Sequence, residues 1–125
     1  MPRQKILVVD SDPHILILLE KFLEEAGYET RVTWDSKEAV SWIDSEGFAA
    51  IIVGEHPQCV SCLEVVRKLR QQGDDTSCIV LDDPQSEAEQ GELHAMAVRA
   101  VISRWNLKEV VQTVRSATSE PRHAA

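Results

Sequence analysis

The chain has 125 residues, 43% of them hydrophobic and 27% charged, with 13 Lys plus Arg against 21 Asp plus Glu for a formal net charge of −8. That length suits one domain that buries its own core without metal or disulfide staples. So acidic a balance argues against nucleic acid or an anionic membrane surface as a direct partner.

The elements follow in chain order. "KILVV" at 5–9 is a run of aliphatics of strand length, as expected for a strand covered on both faces. Asp12-Pro13 then supplies a helix cap and a proline for the first helical position, Ile15, Leu18, Leu19, Phe22 and Ala26 recur at helical spacing, and Gly27 stops the helix. "YETRVT" at 28–33 alternates Tyr28, Thr30 and Val32 with Glu29, Arg31 and Thr33, the pattern of an edge strand. Asp35 with Glu38 three residues on resembles a capping arrangement for a second helix, burying Ala39 and Ile43 and ending near Gly47.

"AAIIV" at 49–53 is the third strand, and Leu63, Val66 and Leu69 mark a helix that ends at Gly73. "CIVL" at 78–81 is the fourth strand. The helical pattern over 86–96 is the weakest, because Glu87, Glu89, Gln90, Gly91 and Glu92 leave only Ala88, Leu93 and Met96 to bury. "AVIS" at 100–103 is the fifth strand, and Asn106 with Glu109 opens a last helix with Leu107, Val110, Val111 and Val114 on its apolar face. Residues 1–118 thus read as one domain, and residues 119–125 as a disordered tail or the start of a linker.

Strict alternation of five strands with five helices predicts a doubly wound parallel α/β sheet with right-handed crossovers. In such sheets the working crevice lies at the carboxyl ends of the strands. The residues there are Asp10, Ser11 and Asp12 after the first strand, Gly54, Glu55 and His56 after the third, Asp82 and Asp83 after the fourth, and Ser103, Arg104 and Trp105 after the fifth.

This order of elements and the stretch "KILVVDSDPHILILLEKFLEEAGYETRVTWDSKEAV" resemble the receiver domain of two-component response regulators, the CheY-like fold, over roughly residues 4–117. The resemblance implies strand order 2-1-3-4-5. It also implies an aspartate at the end of strand three that is phosphorylated, two acidic residues after strand one that complete a Mg²⁺ site, a hydroxyl residue after strand four and a lysine after strand five. Aligned to that pattern, Asp10 matches the first acidic residue, but Ser11 stands at the second, with Asp12 one place later. Gly54 stands at the phosphoacceptor, Asp82 at the hydroxyl, Arg104 at the lysine and Trp105 at the proline that usually follows it. Val101 replaces the aromatic switch residue common on strand five.

An acyl phosphate needs a carboxylate nucleophile, and Gly54 has no side chain. Mg²⁺ takes octahedral oxygen ligands, so loss of carboxylates at 11 and 54 predicts weak or absent binding and no cofactor. Asp82 adds negative charge where a phosphoryl group would sit. Glu55 is shifted by one residue and should point away from the pocket, as a solvated loop residue, unless the loop bulges. Asp12 is expected to spend its oxygens on the helix cap. Arg104 is expected to contact Asp10 or Asp82, against the alternative of a solvated loop arginine.

His56-x-x-Cys59-x-x-Cys62 is a weak metal-like or redox-like spacing, and Cys78 should lie at the opposite end of the sheet, too far to close a zinc site. Reduced, ordinary thiols are expected from an odd number of cysteines in a chain with no signal-peptide pattern. Trp42 reads as helix packing, while Trp34 and Trp105 fall in loops. Trp105, Val101 and the acidic residues Glu87, Glu89 and Glu92 are candidates for a partner surface, or else a folded-over ring and a solvated acidic face. His14, His94 and His123 acquire no role, and no nucleotide-binding or hydrolytic motif is present.

The resulting expectation is a non-enzymatic, cytoplasmic, phosphorylation-independent receiver that recognises a histidine kinase, another receiver or an output domain. Its rivals are a phosphorelay receiver that uses an unusual carboxylate, and a Cys59/Cys62 thiol switch.

Overall fold

In the computed structural model, the structure describes residues 3–54, 62–81, 98–103 and 105–119, with the side chains of residues 62–64 left aside. They hold five parallel strands: β1 (Lys5–Val9), β2 (Glu29–Thr33), β3 (Ala50–Gly54), β4 (Ser77–Leu81) and β5 (Ala100–Ile102). The sheet order is β2-β1-β3-β4-β5, with β2 at an edge. Four helices are described: α1 (Pro13–Glu25), α2 (Ser36–Ser45), α3 (Cys62–Gln71) and the C-terminal helix (Leu107–Ser119). The expected helix over 86–96 lies outside the described residues.

The near-continuous aliphatics of β1, β3 and β4 are buried because both faces of the sheet are covered. Alternate residues feed two cores. Ile6, Val8, Ile52, Ile79 and Leu81 pack with α1 and the C-terminal helix, whereas Leu7, Val9, Ile51, Val53 and Cys78 pack with α2 and α3.

The helix ends follow their caps. Asp12 accepts the His14 backbone N–H at 2.9 Å, Pro13 opens α1, and Gly27 closes it at φ +99, a conformation that favours glycine. Asp35 caps α2 through Lys37 N–H at 2.9 Å, but its own N–H donates to Thr33 Oγ1 at 3.0 Å rather than to the expected Glu38. Asn106 Nδ2 donates to Glu109 Oε2 at 2.6 Å at the start of the C-terminal helix.

The apolar face of α1 differs from the expected one. Ile15, Leu16, Leu19 and Leu23 are fully buried, while Leu18, Phe22 and Ala26 are only partly so. The reason is the neighbour. Phe22 and Ala26 border a groove of about 460 Å³ shared with Leu107 and Val111 of the C-terminal helix, which covers them only in part. In the C-terminal helix Val110, Val114 and Ala117 are buried and Leu107 and Val111 half-buried, for the same reason.

Candidate functional site

The carboxyl edge of the sheet is built where β1 and β3 run out together. Val9 pairs with Val53 in parallel register, so the next residues, Asp10 and Gly54, sit side by side on adjacent strands. The Asp10 backbone stays in the ladder by donating its N–H to the Thr33 carbonyl at 3.1 Å. Its side chain is wholly buried, with relative exposure 0%. Carboxylate oxygen Oδ1 accepts the Asp12 backbone N–H at 2.8 Å.

The rest of that carboxylate lies over Gly54. A Cβ built on residue 54 would overlap Asp10 Oδ2 and Cγ and approach Asp10 Cβ to 3.0 Å. Gly54 is itself buried and is not among the glycines with positive φ. Space, not backbone conformation, is therefore what only glycine satisfies at this position.

Around this pair the loop into α1 is tied to itself. Asp12 Oδ1 takes the His14 N–H and lies 3.3 Å from His14 Nδ1, and that backbone bond above all holds the Asp12 carboxyl below its ordinary value. The Ser11 hydroxyl is buried without a hydrogen-bond partner among the described residues. Trp34 follows Thr33 at the same edge with relative exposure 72% and borders a small cavity with Val32, Asp35 and Glu38.

The oxygen donors described at this edge are few. Asp10 faces a glycine, Asp12 points back to its own helix terminus, and residue 11 offers only a hydroxyl. Among the described residues no group of three or more His, Cys, Asp or Glu is placed to hold a metal.

Asp10, Ser11, Asp12 and Gly54 are thus brought together as expected from their places after β1 and at the end of β3. Glu55, Asp82, Arg104, Glu87, Glu89 and Glu92 lie outside the described residues, and so does the expected contact of Arg104 with Asp10 or Asp82. Val101 and Trp105 are exposed, at 40% and 59%. Cys78 is buried at the start of β4, and burial pushes its thiol up to about 11, so it is an inert core residue. Cys59 and the Cys62 side chain fall outside the description. No described helix is long and apolar enough to cross a membrane.

Residues 6–115 match the response regulator receiver domain family. The chain belongs to that family. As a receiver it is 34% identical over 85 residues to the response regulator MprA of Mycolicibacterium vanbaalenii, a match that covers 68% of this chain and 37% of that one. The chain therefore spans well under two thirds of the length of its curated relatives. Among solved structures, the receiver domain of Francisella response regulator 1452 superposes with a TM-score of 0.82 at 24% identity, over 93% of this chain and 97% of that one. The Thermotoga maritima response regulator TrrA, solved with Mg²⁺ and BeF, superposes at 0.76 with 28% identity, over 91% and 98%. With its order β2-β1-β3-β4-β5 the chain has a CheY-like fold, and it superposes on the chemotaxis protein CheY4 of Vibrio cholerae with a TM-score of 0.82 at 23% identity, over 92% of this chain and 98% of that one. Response regulators are signalling modules that interact with histidine kinases and output domains.

Two features escaped the residue pattern. One is the seat of Asp10 over Gly54, whose signal was an acidic residue and a glycine at equivalent ends of strands that pair in parallel. The other is a cluster away from this edge, in which Glu46 bonds Arg31 at 2.8 Å and Lys5 at 3.1 Å while Arg31 stacks 4.3 Å from the Trp42 ring centre. Trp42 does pack on the α2/α3 core, as expected, but it also carries this cation.

Proposed function

We propose that this receiver signals by protein recognition and does not form an acyl phosphate at position 54. The observation that carries the reading is the Asp10 carboxylate lying in the space where a side chain on residue 54 would begin. Phosphotransfer to a receiver needs a carboxylate nucleophile open to the donor, and glycine has none. The neighbouring carboxylates are poor substitutes, because Asp10 is wholly buried and Asp12 caps α1. The same geometry leaves Mg²⁺ weakly held or unbound, in contrast to the pocket of TrrA, which was solved with Mg²⁺ and BeF.

In this reading a histidine kinase, another receiver or an output domain meets a receiver whose pocket does not change state. Exposed Val101 and Trp105 lie on the face it would use. The setting is cytoplasmic, with no enzymatic step and no direct nucleic-acid or membrane contact.

Intact-mass measurement after incubation with acetyl phosphate and Mg²⁺ tests it. The expected outcome is no phosphoryl adduct. An adduct mapped to Glu55, Asp12 or Asp10 would overturn the reading in favour of a phosphorelay receiver with an unusual acceptor. Partner binding that changes on oxidation of Cys59 and Cys62 would replace it by a thiol switch.

A further inference from the structure

We propose that Asp10 is an internal plug over residue 54, that its carboxylate must move before any side chain can stand there, and that the two positions are therefore energetically coupled. The inference rests on reading Gly54 as the vacated acceptor position, but its test reads stability and not phosphate.

Four observations converge on the plug. Val8 and Ile52 pack in one core and Val9 and Val53 in the other, so strand alternation sends Asp10 and Gly54 to the Val8 and Ile52 side together. Next, Gly54 lacks positive φ, so its backbone would accept any L residue. By contrast, a Cβ on Gly47 would meet nothing within 4 Å, whereas on Gly54 it meets three Asp10 atoms. Finally, Asp10 is held at both ends, its N–H by the Thr33 carbonyl and its Oδ1 by the Asp12 N–H at 2.8 Å.

A side chain at 54 therefore cannot enter without displacing Asp10, and displacing Asp10 breaks a charge-assisted bond to the loop that starts α1.

The test is a double-mutant cycle of thermal midpoints with Gly54→Ala, Asp10→Ser and the pair, with Asp10→Asn as the shape-preserving control. Gly54→Ala is expected to lower the midpoint by about 5 °C alone and in Asp10→Asn, and by no more than about 1 °C in Asp10→Ser. An equal drop in all backgrounds, or no drop in the wild-type background, would overturn the plug. Should Asp10→Ser not fold, the amide of Asp12 in Gly54→Ala decides. Its NMR resonance should move and its exchange with solvent quicken as its carboxylate partner leaves, and an unchanged amide would also overturn the proposal. A phosphoryl adduct on the wild type would end the proposed function while leaving this coupling standing.

Discussion

Asp10 and Glu46 are both carboxylates on connections of the same sheet, one leaving β1 and the other entering β3, and they sit in different surroundings. Glu46 is solvent-accessible and answered by two cations, Arg31 first and Lys5 second, which together lower its carboxyl below the ordinary value of 4.5. Asp10 is sealed from water, its Oδ1 accepts a backbone N–H, and a glycine lies beneath it in place of a side chain. The lesson is that exposure sets how much a carboxylate matters. In water a pair of ions contributes little, whereas in the interior each neighbour must match in shape and polarity.

The largest effect should come from placing a second carboxylate beside the buried one. Gly54→Asp is expected to cost about 3 kcal/mol at neutral pH, from overpacking plus like charge. In that variant, like charge at such close range would raise the folded pKa of one carboxyl above its unfolded value. The penalty is then present at neutral pH and relieved as pH falls through the raised value, so the gap in melting temperature from wild type should narrow on acidification. A gap that is flat with pH would break the contrast between the two sites.

A smaller loss should follow from Asp12→Ala, which removes the acceptor for the His14 N–H at the start of α1. Chemical denaturation should show about 1 kcal/mol, and Asp12→Asn, which keeps an acceptor, should recover most of it. Equal losses in the two variants would shift the weight from the hydrogen bond to the charge.

Smallest of all, Glu46→Gln is expected to move the thermal midpoint by about 1 °C at low salt and by nothing measurable at high salt. The sign can be checked with pH. A carboxyl with a lowered folded pKa adds stability above its unfolded value and loses it as pH falls through the folded one, so wild type and Glu46→Gln should converge in acid. A salt-independent loss would mean that Glu46 behaves as a buried group.

Much of this fold was legible from residue pattern. Aliphatic runs of strand length, Asp12-Pro13, Asp35, Asn106 and the stops at Gly27 and Gly73 each act over a few neighbours, and the structure places strands and helix ends where they point. The face of α1 was less legible. Leu16 and Leu23 are buried in the core, whereas Phe22 and Ala26 line a groove shared with Leu107 and Val111 of the C-terminal helix, some 80 residues on. The candidate site was legible in membership only: Asp10, Ser11, Asp12 and Gly54 were named from their places after strands, yet nothing local revealed that Asp10 fills the space above Gly54.

The sequence by itself determined the alternation of elements, the caps, the acidic balance and the absence of a carboxylate at position 54, since each is a property of composition or of neighbours along the chain. Tertiary structure decided which helix faces are buried, that Arg31, Trp42, Lys5 and Glu46 meet, and that one strand's aspartate closes the gap left by another strand's glycine. Those outcomes depend on the parallel register of β1 and β3 and on contacts between distant segments, which form only when the whole sheet is assembled.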